Sequence, residues 1–540
     1  MAEPSGFDAS AMRSDAPSTK TRADPPRHTA RTLELAERAF SRAAGGAAIG
    51  GNSVRLLRDA KENFPAWRES LASAKDYILF ECYIVDDDAL GQEFADLLAQ
   101  KARAGVMVRV IVDWLGCWHS LSLWAHVRAA GGRVRVFNPP RLASPLGWLS
   151  RDHRKTIVVD GRVGYVSGLC VSEKWLGDPR RRHEPWRDTG IELTGAAVDA
   201  LTRAFGQVWR ACGEIEAGDL PVIGERASEQ GPVRLHMIAN EPAVAGTFRM
   251  DLIVASIARR NLWLTDAYFI ATAPYVQALR AAALDGVDVR LLVPGVSDLP
   301  ALTPLSRAQY RPLLEAGVRV FEWQGTMLHA KTAVADGLWS RVGSTNLNLA
   351  SWLSNYELDV AIDDPQFAAL MSKQYEQDLS RSTEIVLTAR NRVRRAGGPE
   401  SAEVEFTTRG PTRRASTGSA GRAAAGAVSV GSALGAALTN RRALGPAEAG
   451  LLFLMSAVGF AIGVIAAIWP RVFAVPLAII ALWLAIAWFA KGVMLKRKPV
   501  VREDKGAAAR QVVTETEPRP ATDPVSTPQD ASAQSTRSLT

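Results

Sequence analysis

The sequence predicts an α/β fold of two pseudo-symmetric lobes, each a mixed β-sheet flanked by helices, followed by a C-terminal two-helix transmembrane hairpin. Three observations predict it: an internal repeat through the middle of the chain, strand-like runs alternating with amphipathic helical stretches in each copy, and two long apolar runs near the far end. At 540 residues the chain is too long for a single core. With 47% hydrophobic and 22% charged residues, most of it should fold.

Residues 1–44 start polar and Pro-rich, without the apolar stretch of a secretory signal, and read as a disordered N-terminal tail. The repeat then defines a first lobe over 45–225 and a second over 230–385. AKDYILFECYI and GVMVRVIVD, within Ala74–Asp113, are answered by ARRNLWLTDAYFI and GVDVRLLVP, within Ala258–Pro294. AAGGRVRVF is answered by EAGVRVFEW, and RDHRKTIVVDG by MLHAKTAVADG. Amphipathic segments such as GQEFADLLAQKARAG lie between the strands, the pattern of β-α-β units. Duplication favours a site at the interface, where each copy can supply equivalent groups.

Residues 392–447 are rich in Gly, Ala, Ser, Thr and Arg and read as a flexible basic linker. Within 450–490, the runs Gly450–Trp469 and Val472–Ala490 each approach the roughly 20 residues that cross a bilayer. Only Pro470 and Arg471 separate them, so they should form a tight antiparallel hairpin, with Gly459 and Gly463 permitting close helix approach. Arg441 and Arg442 before the hairpin, and Lys491, Lys496, Arg497, Lys498 and Arg502 after it, put both ends on the cytoplasmic side by the positive-inside rule. Residues 500–540 read as a disordered C-terminal tail.

A net charge of +8 favours anionic partners, phospholipid headgroups or nucleic acid, without choosing between them. The four cysteines, Cys82, Cys117, Cys170 and Cys212, are widely spaced and indicate neither a zinc site nor a disulfide framework.

The chemistry rests on His153-x-Lys155 and His329-x-Lys331, at matching places in the repeat. In a strand, residues i and i+2 share a face, so each histidine and its lysine project together. Asp160 and Asp336 follow on the other parity. Each precedes a glycine, and Asp-Gly between apolar strands signals a tight hairpin turn, so both aspartates read as mainly structural. A single H-x-K pair would more often be ordinary strand residues; its recurrence with the Asp-Gly and the preceding strand order points to function.

These paired H-x-K-x(4)-D motifs resemble those of the phospholipase D superfamily. The second copy is complete, with Gly343, Ser344, Thr345 and Asn346, then Asn355 and Glu357. The first departs: Ser167, Gly168 and Cys170 stand at the matching places, without the usual asparagine, and Asp188 corresponds to Glu357. Within the superfamily the sequence is most similar to bacterial cardiolipin synthases, through stretches such as FECYIVDDDALGQ, WRDTGIELTG, LVPGVSDLPALT and LHAKTAVADGLWSRVGSTNLN. The resemblance spans nearly all of residues 50–385.

The resemblance implies two phospholipase D-like lobes and a membrane phosphatidyltransferase that makes cardiolipin through a phosphohistidine. His153 would be the nucleophile and His329 the acid and then the base, with Lys155 and Lys331 on the phosphoryl oxygens. Asp188 and Glu357 would orient the histidines, and Asp160 and Asp336 complete the motif. Asn346, Ser344, Asn355 and Ser167 are the candidate substrate-binding residues. No metal or cofactor is required. Expected partners are phosphatidylglycerol, cardiolipin and the bilayer, with phosphatidylethanolamine left open and no nucleic acid. The expected location is the bacterial inner membrane with the lobes in the cytoplasm.

The rivals are a phospholipase D-type hydrolase, a phosphodiesterase acting on nucleic acid, and a non-catalytic membrane-tethered lipid-binding scaffold. Trp118 and Trp124, in an apolar stretch before the first motif, either dip into the headgroup region or pack the lobe.

Overall fold

The computed structural model describes residues 27–140, 149–178, 180, 183–224, 230–387 and 393–395, with scattered residues between 460 and 486. The first lobe supplies strands β1 (Ile49–Arg58), β2 (Tyr77–Cys82), β3 (Met107–Asp113), β4 (Arg133–Phe137), β5 (Lys155–Val159), β6 (Val163–Ser167) and β7 (Thr189–Gly195). The second supplies β8 (Val233–Asn240), β9 (Asn261–Thr265), β10 (Asp288–Pro294), β11 (Arg319–Trp323), β12 (Thr332–Ala335), β13 (Trp339–Gly343), β14 (Glu357–Asp363), β15 (Ser382–Leu387) and β16 (Val393–Arg395).

All join one 16-stranded sheet, ordered β16-β15-β11-β10-β9-β12-β13-β14-β8-β1-β7-β6-β5-β2-β3-β4. Read outward from the β1–β8 seam, the two halves have the same order. In each, three parallel strands (β2-β3-β4 and β9-β10-β11) adjoin an antiparallel run (β5-β6-β7-β1 and β12-β13-β14-β8). The inner parallel strands β2 and β3 are buried on both faces and mainly apolar, whereas the edge strand β4, RVRVF, alternates arginine with apolar residues and is largely half-buried.

Helices cover both faces. On one, Phe64, Trp67, Phe94 and Leu98 pack the first lobe, and Met250, Tyr275, Leu279 and Leu313 pack the second. On the other, Phe205 and Trp209 of helix Ala197–Ala211 and Phe367 and Met371 of helix Pro365–Leu379 share one cluster with strand residues of both lobes. That shared core makes the lobes one body. Arg154 and Arg187 reinforce the seam: Arg154 donates to the carbonyls of Ala204, Asn240 and Glu357, and Arg187 pairs with Asp378 at 2.8 Å.

The expected N-terminal tail is corrected over its last part, where Arg27–Ala44 form a helix. Phe40 and Ala43 recur on one face, pack on the second lobe's core, and Glu37 pairs with Arg234. Val393–Arg395, at the start of the expected linker, adds a short edge strand. The rest of that linker, most of the 450–490 hairpin and the 500–540 tail lie outside the described residues; among the described residues no helix is long and apolar enough to cross a membrane.

Candidate active site

His153 and His329 immediately precede β5 and β12, which run antiparallel to β2 and β9. Both histidines therefore sit at the carboxyl ends of the parallel strands, where α/β sheets place their ligands. The two face one cleft of about 100 Å³, also lined by Tyr83, Ile84, Arg151, Cys170, Trp175, Trp186, Tyr268, Ile270, Leu299, Leu302, Asn346 and Asn355.

The carboxylates reach across the seam. His153 Nδ1 lies 2.9 Å from Glu357 Oε2, and His329 Nδ1 lies 2.8 Å from Asp188 Oδ2. Each lobe thus orients the other lobe's imidazole. The backbones are exchanged too: His153 N–H donates to the Tyr356 carbonyl and His329 N–H to that of Arg187. Ser344 Oγ and Asn355 Nδ2 donate to Glu357, while Trp175 Nε1 and the Thr189 N–H donate to Asp188. An ionised carboxylate on Nδ1 fixes the tautomer with the proton there, leaving Nε2 as a lone-pair nitrogen.

Electrostatics agree with that assignment. Burial lowers His153 below its ordinary value despite the pull of Glu357. Burial and the ammonium of Lys331 bring His329 down to about 4. Burial works to raise both carboxyls, but the facing imidazoles leave Asp188 and Glu357 below the usual range. Both half-sites at rest are therefore carboxylate and neutral imidazole.

Lys155 and Lys331 lie buried beside the cleft, each donating to the carbonyl of its own histidine. Tyr83 and Tyr268 cover these ammonium groups at 5.1 Å and 6.0 Å from ring centre. Burial takes Lys331 down to about 8.

Asp160 and Asp336 leave the catalytic set. They stand at the opposite ends of β5 and β12, outside the cleft, at φ of +54° and +54°. Asp160 accepts the N–H groups of Lys75, Asp76 and Tyr77; Asp336 accepts those of Arg259, Arg260 and Asn261. They tie each hairpin turn to the neighbouring strand, the structural role the Asp-Gly pattern implied.

Of the substrate-binding candidates, Asn346 and Asn355 line the cleft, and buried Asn346 Oδ1 has no hydrogen-bond partner. Ser344 and Ser167 do not line it: Ser344 supports Glu357, and Ser167 bonds the Leu169 carbonyl. Gly168 lies against Asp188, where a Cβ would meet Oδ1 at 2.2 Å. Trp124 is packed in the core, while Trp118 is 43% exposed.

Sequence reasoning missed Tyr83, Tyr268, Trp175, Trp186 and Arg151. Tyr83 and Tyr268 follow β2 and β9 but stand one residue out of register, Tyr83 corresponding to Ala267, so the repeat alone does not pair them. The tryptophans and Arg151 had no signal either, because their approach to the cleft depends on loop paths.

A family model described as "Cardiolipin synthase, PLD-like domain" matches residues 67–182 and 253–379, one segment for each motif. The chain is similar to a cardiolipin synthase of Halalkalibacterium halodurans, 33% identical over 341 residues that cover 62% of this chain and 67% of that one. It is also similar to cardiolipin synthase A of Pseudomonas aeruginosa, 33% identical over 359 residues, covering 64% and 71%. Among solved structures, a phosphatidylserine synthase of Haemophilus influenzae shares the fold with a TM-score of 0.52 at 14% identity, over 65% of this chain and 92% of that one.

Proposed function

The chain belongs to the cardiolipin synthase family of phospholipase D-like proteins, and from that premise we propose that it is a phosphatidyltransferase that makes cardiolipin from phospholipids such as phosphatidylglycerol. One observation carries the chemistry: two imidazoles from opposite lobes, each braced by the other lobe's carboxylate, face a single cleft.

His153 Nε2 attacks the phosphorus of the donor lipid and the P–O bond to its headgroup alkoxide breaks. His329, which takes up a proton when the anionic diester enters beside it, gives that proton to the leaving alkoxide. The phosphatidyl group is then held on His153 through a P–N bond. Neutral His329 next removes a proton from the headgroup hydroxyl of a second lipid, whose oxygen attacks phosphorus and frees His153. Glu357 and Asp188 stabilise the imidazolium forms. Lys155, Lys331 and Asn346 hold the non-bridging oxygens.

Ile84, Ile270, Leu299 and Leu302 in the cleft wall favour a lipid over water as acceptor. The apolar runs Gly450–Trp469 and Val472–Ala490 would anchor the lobes to the inner membrane, with their basic flanks holding the catalytic part in the cytoplasm.

Purified full-length protein incubated with phosphatidylglycerol vesicles should yield cardiolipin and glycerol on lipid extraction. Phosphatidic acid alone would make it a hydrolase, and plasmid cleavage without lipid turnover would make it a nuclease. Truncation before Gly450 should weaken turnover on vesicles more than on detergent-dispersed lipid; equal loss would remove the anchoring argument.

A further inference from the structure

The first half-site carries two sulfurs where the second carries an amide and a carboxylate. Cys170 stands in the motif place of Asn346, in the wall of the cleft that both histidines face. Cys82 ends β2 and pairs in register with Lys155. In the second lobe Thr265 pairs with Thr332, so the preceding Lys331 faces Asp266 at the corresponding place. The two exceptional positions come together at Ile84: its carbonyl accepts the Cys82 S–H at 3.0 Å and the N–H of Val171, the neighbour of Cys170, at 3.1 Å, and both cysteines are buried.

The two sulfurs differ in character. Burial alone would raise Cys170, but the neighbouring Cys82 thiol and the ammonium groups of Lys155 and Lys331 bring it down to about 7. Burial pushes Cys82 well above the ordinary thiol value, and its S–H donates to the Ile84 carbonyl at 3.0 Å. Cys117 is engaged elsewhere, accepting the Val85 N–H at 3.2 Å. One thiolate-forming sulfur facing a cleft, with a neutral thiol at its back, is the arrangement of an attacking and a resolving cysteine.

We infer that Cys170 and Cys82 form a hydroperoxide-reactive pair in the active-site wall, and that their oxidation to a disulfide switches the enzyme off. The Cys170 thiolate attacks the terminal oxygen of the hydroperoxide and the O–O bond breaks. Cys170 becomes a sulfenic acid, and the departing alkoxide or hydroxide takes a proton from water. The Cys82 thiol then attacks the sulfenic sulfur; the S–O bond breaks and the hydroxyl leaves as water with the Cys82 proton. One peroxide is reduced and two thiols are oxidised.

The coupling to catalysis is steric and electrostatic. The disulfide removes the negative charge beside Lys155 and draws Cys170 toward β2. Gly168, two residues earlier, has no clearance from Asp188, so a shift of this segment displaces the carboxylate that orients His329.

The switch rests on the transferase reading for its effect on turnover; the disulfide does not. Full-length reduced protein in phosphatidylglycerol vesicles would be treated with excess hydrogen peroxide, mapped by peptide mass, and assayed before and after dithiothreitol. Expected are a Cys82–Cys170 linked peptide and a loss of turnover of about ten- to a hundredfold, restored by reductant. Cys82→Ser should accumulate a dimedone-reactive sulfenic acid at Cys170, and Cys170→Ser should show the same turnover with and without peroxide. Absence of both the link and the sulfenic acid, a link without loss of turnover, or undiminished peroxide sensitivity in Cys170→Ser would overturn the inference. A protein that forms the link but makes no cardiolipin before oxidation would instead refute the transferase reading.

Discussion

The first lobe sets its motif lysine among thiols, whereas the second sets its own beside Asp266 and Asn346. Around these different neighbours the scaffold is the same: equal strand order, equal hairpins, and a histidine delivered to the same cleft. The difference teaches that duplication fixes where the imidazoles meet, while the groups behind each lysine tune what its half-site does. Burial raises Asp266 to about 7, so the second half-site holds a weak acid of its own beside Lys331, where the first holds Cys170.

The largest expected effect tests whether the half-sites have distinct roles. His153→Ala and His329→Ala should each cost about 10⁴-fold in transfer. With a donor carrying an activated leaving group, His329→Ala should still give a burst of covalent intermediate and His153→Ala none. The reverse pattern would exchange the two roles.

Next come the crossed carboxylates. Asp188→Asn and Glu357→Gln should each lower kcat by about 10²- to 10³-fold, with KM little changed, because each acts through the imidazole. A purely structural role would show as lost thermal stability with kcat per folded molecule intact.

The pH dependence separates the lobes further. Lys331 carries its charge below about 8, so kcat/KM should fall about tenfold per unit as pH rises beyond that value. Lys331→Arg should remove this limb, since a guanidinium stays charged, whatever it costs in fit. His329, near 4 in the empty cleft, must gain a proton to act as acid. Binding of an unreactive diester should therefore take up protons and weaken as pH rises, measured by calorimetry in buffers of different ionisation enthalpy. Zero uptake would contradict its role as acid.

The smallest effects belong to the turns. Asp160→Ala and Asp336→Ala should each cost about 1–3 kcal/mol of stability through three orphaned N–H groups, the buried Asp160 more than the partly exposed Asp336. Thermal melts would show this, with kcat of the folded protein within about twofold. A kcat loss matching that of the histidine variants would return these aspartates to the chemistry.

The repeat, the strand order within it, the two H-x-K pairs and the Asp-Gly turns were legible because each is local: period-two patterning, turn chemistry and recurrence need no knowledge of the fold. The helix Arg27–Ala44 carries an amphipathic pattern of its own and was locally legible too; only its docking on the second lobe was not. The crossed pairing of His153 with Glu357 and His329 with Asp188 joins residues 204 and 141 positions apart, and no local pattern encodes it. The same holds for the approach of Cys170 to Cys82. The sequence alone determined that an imidazole–amine pair would come twice, once from each copy of the repeat. Only the tertiary structure decided which carboxylate braces which imidazole, because joining the two half-sheets at β1 and β8 brings together side chains of opposite lobes that the covalent chain leaves independent; Cys82 and Cys170 meet within the first lobe, where the segment after β6 returns beside the end of β2.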